Sequence, residues 1–185
     1  CRRGGRGGDV KVGANGWCVR GGSVELRGGE QWRAGYPVLA GEMRCLLETG
    51  WRHNRRRIVG AMFLTKHLLI DWREGGRLFM RHLIDGDLAS NDGGWQWSAR
   101  TGTDGQPYFR IFDPISQGKK FVPDGSFVRR WVPELAGVEG GAVHEPRDAG
   151  LLMNQAGDAA YPSAIVDQKA GRTRALEVFK AHRGG

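Results

Sequence analysis

Cysteine is scarce in this chain. Cys1, Cys18 and Cys45 are the only three in 185 residues, an odd and scattered set that supports neither a disulfide framework nor a zinc site. Long apolar runs are also missing. The uncharged stretch 58–65 is far too short to cross a bilayer, and no apolar segment follows the early arginines as a secretory signal would require. No histidine stands at ligand spacing with the carboxylates, since His67 and His82 are each isolated, so no metal is expected. Convincing β alternation and internal repeats are absent as well. These absences predict a cytoplasmic protein with a reducing environment and no membrane partner.

What is present is basic and uneven. Twenty-eight Lys and Arg against 20 Asp and Glu give a formal charge of +8. A basic protein of this size attracts polyanions, nucleic acid foremost, although a solvated basic surface without a partner explains the charge equally well. Ten of the 31 glycines fall in residues 1–30, where apolar residues are sparse and follow no period. The reading there is a Gly/Arg-rich leader over 1–34 without regular structure, either a nucleic-acid arm or a segment foreign to the rest. Residues 1–57 carry net +7 of the total charge.

From Tyr36 onward the pattern is helical. Val38, Leu39, Met43, Leu46 and Leu47 form a stripe that Gly50 ends. A long core helix is expected over 54–72, a third helix from about Glu74 to the break at Asp85-Gly86-Asp87, and a short one around Trp95. An irregular stretch over 102–114, a helical turn over 127–131 and an amphipathic helix over 164–181 complete a mainly α chain. Asn54 and Arg57, three apart on one helix face, aim an amide and a guanidinium the same way. With Asp85, Asp87 and Asn91 among apolar helices they suggest a held polar ligand. Taken singly, each has an ordinary reading: an Arg57–Asp85 ion pair inside a bundle, Asn91 capping a helix, tryptophans filling a core.

The stretches TGWRHNRRRIV (49–59), KHLLIDWREG (66–75), DGDLASNDGGWQWSARTGTD (85–104), PYFRIFDPISQGKKF (107–121) and FVRRWVPEL (127–135) closely resemble the C-terminal FAD-binding region of class I cyclobutane pyrimidine dimer DNA photolyases. GYP at 35–37, HEP at 144–146 and YPSAIVDQK at 161–169 extend the likeness over about residues 35–182, in order, while 1–34 do not match. The resemblance implies the C-terminal part of an all-helical FAD-binding domain over 35–185. It also implies deoxyribodipyrimidine photo-lyase activity: light-driven repair, by electron transfer from reduced FAD, of a pyrimidine dimer flipped out of DNA.

Carried over by position, Asn54, Arg57, Asp85, Gly86, Asp87 and Asn91 are implied at the flavin ring, with Asn91 facing N5. The Arg57 charge offsets a flavin anion and Asp85 holds Arg57 in place. Trp95 and Trp72 are implied as the first members of an electron-transfer chain. Trp97, about 200° around the helix from Trp95 at ~3.6 residues per turn, is implied to stack on the lesion. Asn54, Arg55, Arg110, Gln117 and Lys120 are implied to meet the damaged strand.

Departures from the family are specific. Ala40 replaces Asp, Ile58 Met, Asp113 Asn, Val122 Asp and Arg147 Trp, and Val19 falls where the distal tryptophan is counted. The loop that holds the FAD phosphates has no counterpart in these residues. The resulting expectation is a monomeric photolyase fragment with impaired FAD binding and poor activity. Two alternatives stand beside it: a non-catalytic basic remnant that binds DNA, and a cryptochrome-like blue-light photoreceptor, which Asn91 and Trp97 disfavour.

Overall fold

The computed structural model describes residues 17–20, 23–26, 35–101, 109–146 and 161–183, the first two segments by backbone alone. Seven α-helices are found there: α1 Pro37–Thr49, α2 Asn54–Met62, α3 Trp72–His82, α4 Leu88–Ala99, α5 Pro114–Phe121, α6 Ser126–Trp131 and α7 Gln168–Arg183. The mainly helical expectation holds for 36–182 where the chain is described. The expected leader needs a correction. Strands β1 (Trp17–Arg20) and β2 (Ser23–Leu26) pair antiparallel, Trp17 opposite Leu26 and Arg20 opposite Ser23. Their alternation is only four residues long on each side of Gly21-Gly22, too short to register as a period. The remainder of 1–34 and residues 102–108 of the expected irregular stretch lie outside the described residues, as does Arg147.

Pro37 opens α1, where a missing N–H is harmless, and Gly50 closes it in the left-handed region at φ 66° with its N–H on the Leu46 carbonyl. The expected single helix over 54–72 is two elements. After Met62 the chain widens into a π-helical turn, Phe63–His67, in which Leu68 N–H reaches the Phe63 carbonyl at 3.1 Å. Leu69 then takes φ +54°, and Asp71 caps α3 by accepting from Arg73 N–H at 2.8 Å. Trp72 therefore starts the third helix rather than ending the second. Asp87 caps α4 through Ser90 N–H at 2.8 Å, and Asp113 caps α5, which was not foreseen, through Ile115 and Ser116. Helix α7 begins at Gln168, four residues later than expected, with Asp167 accepting from Ala170 N–H.

The core runs between these helices. Helix α1 lies against α6 at Gly41, where a Cβ would meet Phe127, Trp131 and Val132, while its Leu39 and Met43 join Phe63, Leu64, Leu78, Phe79 and Trp95 on the side of α2, α3 and α4. Helix α7 docks on the π turn, where the Arg174 guanidinium donates to the His67 carbonyl. Gly171, costly inside a helix on propensity alone, lies where a Cβ would stand 3.1 Å from the His67 ring. Close approach explains the glycine. No helix among the described residues is long and apolar enough to cross a membrane.

Candidate functional site

The end of α1 fixes the geometry. The Gly50 carbonyl accepts from Ile84 N–H at 2.9 Å, which ties the α3–α4 turn beside the start of α2. That turn delivers Asp85 to Arg57. Arg57 Nε donates to the Arg52 carbonyl at 2.8 Å, and its Nη2 donates to both Asp85 oxygens at 2.8 and 2.7 Å. The guanidinium is thus held from two sides, at 25% side-chain exposure against 46% for Asp85.

Beside this pair opens a cavity of about 130 Å³. Ile58, Ala61, Phe79, Leu83 and Trp95 give it an apolar floor, and Asn54, Arg57, Asp85, Asp87, Ser90, Asn91 and Ser98 give it polar walls. Asn91 is fixed by its amide, which donates to the Gly76 carbonyl of α3 at 3.1 Å. Hence Asn91 does not cap α4; Asp87 does. Hydrogen bonds from Ser90 hold the Asp87 carboxyl below its usual range. Trp95 is buried with its ring edge-on to Phe79, centroids 4.9 Å apart.

The helices α3 and α4 approach closely because α3 carries glycines there. A Cβ on Gly75 would lie 2.1 Å from the Trp95 ring. Behind Trp95, Glu42 and Arg52 form a fully buried ion pair, Nη2 to Oε2 at 2.6 Å with each side chain 1% exposed. Burial pushes the Glu42 carboxyl up to about 7, against the downward pull of Arg52 and Arg56. Burial likewise lowers Arg52.

Several predicted residues sit elsewhere. Gly86 shapes the turn and does not line the cavity; its Cβ would meet the Leu83 carbonyl at 3.2 Å. Trp72 is half-buried in a separate groove with Gln96 and Ala99, on the other side of α4 from the cavity. Trp97 is half-buried and is not among the cavity residues. Arg55 and Lys120 both lie over the ring of Phe121, at 4.8 and 5.5 Å. Gln117 is half-buried with its Oε1 unpartnered, and Arg110 is exposed, its carbonyl accepting from the Lys66 ammonium.

Sequence reasoning missed Ser90, Ser98, Gly94 and Ala61 at the cavity. Asn91, Gly94 or Trp95, and Ser98 repeat at i, i+3/4, i+7, which would have found the α4 face. It also missed the groove where Arg56 and Arg130 lie beside Trp51, Phe121, Phe127 and Trp131. Arg56 stands 3.8 Å over Phe127.

Comparison with known proteins agrees with the helical architecture. The chain is 51% identical over 166 residues to the deoxyribodipyrimidine photo-lyase of Escherichia coli (strain K12), covering 88% of this chain and 34% of that protein. A crystal structure of a bacterial class III photolyase from Agrobacterium tumefaciens superposes with TM-score 0.73 at 44% identity, over 83% of this chain and 33% of the other. An archaeal photolyase from Sulfolobus tokodaii, described with two FAD molecules, gives TM-score 0.72 at 37% identity over 81% and 33%. This chain therefore spans about a third of the length of these relatives. Residues 26–181 match the family described as the FAD binding domain of DNA photolyase, and the chain belongs to that family.

Proposed function

We propose that this chain contributes the flavin-ring side of a photolyase-type FAD site and serves light-driven repair of cyclobutane pyrimidine dimers in DNA. The observation that carries the reading is the Arg57–Asp85 pair on a cavity that also holds Asn54, Asn91 and Trp95. An apolar floor under a rim of amides and one guanidinium suits a flat heteroaromatic ring with polar edges. The residues present fit the group. A bound FAD supplies one-electron chemistry driven by light.

The chain's own residues do the rest. Arg57, locked by the Arg52 carbonyl and paired with Asp85, presents fixed N–H donors at the cavity wall, so little reorganisation is needed when negative charge gathers on a ring there. Asn91 presents an uncharged amide, which would offer a flavin ring a hydrogen bond without the acidity of a carboxylic acid. Trp95 closes the floor with an oxidisable indole. Phe79 and Leu83 keep water from that face.

The test is FAD uptake, read by visible absorbance and by flavin fluorescence, followed by repair of a dimer-containing oligonucleotide under light. Arg57→Ala removes a charge-assisted contact worth ~1.5–3 kcal/mol, so flavin affinity should fall about tenfold to a hundredfold. Unchanged affinity in that variant removes the pocket from the reading.

A second reading has its own observation. Arg56 and Arg130 line one open groove with Phe121, Asp124, Phe127 and Trp131, and Arg55 and Lys120 lie over the Phe121 ring at its edge. Cations beside the exposed rings of Trp51 and Phe121 suit a nucleic-acid strand with or without flavin. Binding of undamaged oligonucleotide by flavin-free protein, lost on Arg130→Glu, distinguishes it.

A further inference from the structure

Trp95 has two sides. One faces the larger cavity; the other faces a second, narrow space of about 20 Å³, bounded by Glu42, Arg52, Gly75, Leu78, Phe79 and Trp95 among others. That space is large enough for one water, which needs about 10–15 Å³ and two or more polar partners. Two partners stand ready. Glu42 Oε1 and Arg52 Nε are both buried and without a hydrogen bond, although the same two side chains are paired through Oε2 and Nη2. Orphaned polar atoms on both members of a buried ion pair, beside a space of one water's size, are costly unless that space is filled.

We propose that Glu42 and Arg52 hold one water in this narrow space, and that the three act on Trp95 from behind as positioning groups that set the electrostatic field at its indole. The significance for electron transfer rests on the photolyase reading; the water and the field do not. The charged groups acting on Glu42 are Arg52 and Arg56, while Glu42 and Arg57 act on Arg52. On the opposite side of Trp95 the charged groups are Arg57, Asp85 and Asp87, across the open cavity. With its carboxyl pushed up to about 7, Glu42 changes charge near neutral pH within a low-dielectric space, where Trp95 feels it strongly. Proton gain leaves Arg52 as the net charge behind the ring; proton loss cancels it.

The test needs no flavin. The full chain is labelled with carbon-13 and nitrogen-15 tryptophan, the Trp95 ring signals are assigned with Trp95→Phe, and their shifts are followed from about pH 5 to about pH 9, around the Glu42 value of about 7. Expected are an inflection near pH 7 in the parent chain, its loss in Glu42→Gln and its retention in Asp85→Asn. Water-to-amide cross-relaxation at Arg52 Nε–H is expected in the parent chain. An inflection that survives Glu42→Gln, or that disappears in Asp85→Asn instead, overturns the assignment. If Glu42→Gln does not fold, the carboxyl carbon of Glu42 is titrated in the parent chain. Titration in step with Trp95 supports the proposal, whereas titration near the ordinary 4.5, or no water cross-peak, overturns it. Flavin uptake is measured on the same samples, so failure of the photolyase reading is seen separately.

Discussion

Glu42 and Asp87 are both carboxylates, and their surroundings drive them apart. Asp87 is exposed and held low by Ser90, whereas Glu42 is fully buried and raised to about 7 even beside Arg52. The folded chain keeps the Glu42 proton up to about pH 7, while the unfolded chain releases it near 4.5. Between those values the native state binds more protons, so this group's contribution falls as pH rises, by about 3 kcal/mol over the window. His67 acts in the opposite direction: burial lowers it from 6.5, so its contribution grows as pH rises through that range. Urea unfolding at several pH values should therefore show Glu42→Gln losing the downward component and keeping the upward one. A parallel pH profile for the two proteins would mean Glu42 is ionised in the fold. Neither Glu42 nor Arg52 was legible in the sequence, because a lone acidic residue on an amphipathic helix reads as its solvent face. Arg57, Asp85 and Asn91 were legible from the residues as a polar set among apolar helices, but their role at a flavin came only through the family motifs, since 28 residues separate Arg57 from Asp85 and no local spacing links them.

Helices α3 and α4 depend on the two small residues between them. Gly75→Ala would drive a Cβ to 2.1 Å from the Trp95 ring, so the ring must give up its edge-on contact with Phe79 and move toward the cavity it lines. Overpacking of this kind costs ~1–3 kcal/mol despite the gain in helix propensity, so a lower unfolding midpoint and an altered Trp95 fluorescence are expected. Gly171→Ala makes the useful contrast. Its Cβ would meet the His67 ring at 3.1 Å and Val166 at 3.4 Å, and the ~1 kcal/mol propensity gain offsets much of that milder crowding. The two variants should differ clearly in thermal denaturation. A larger loss for Gly171→Ala would show that α7 docking is the tighter fit. Helix existence was legible from apolar period throughout 36–101, and Gly50 marked its boundary correctly. The π turn at 63–67 was not, because its widening obeys tertiary demands: the Arg174 contact to the His67 carbonyl and the stacking of His67 on Phe63 at 5.3 Å. A continuous apolar pattern ran straight through it and hid the start of α3.

Charge decides what the whole chain does with a cofactor. Among the residues lining the open cavity, Arg57 is the only cation, and Asp85 already neutralises it while Asp87 adds a negative charge. Such a wall accepts a neutral or delocalised ring and gives no positive purchase to a pyrophosphate. FAD spreads its binding energy over ring, ribitol, phosphates and adenosine, so on the photolyase reading the described cavity offers contacts to the ring alone. Riboflavin and FAD should then bind this chain with affinities within about tenfold of each other, a difference of no more than ~1.4 kcal/mol. Light-dependent dimer repair by the chain alone should stay near background, because a weakly held flavin is rarely in place when DNA arrives. DNA itself should still bind through the basic groove. If Arg55, Arg56, Lys120 and Arg130 each neutralise a phosphate, the logarithm of affinity falls with the logarithm of salt at a slope of about −3 to −4, and Arg130→Glu makes it shallower by about one. Calorimetric titration with both flavins, a salt series on an oligonucleotide and a repair assay check the three parts together. FAD binding a hundredfold more tightly than riboflavin, with turnover to match, would place phosphate contacts within this chain and overturn the argument from its cavity charge.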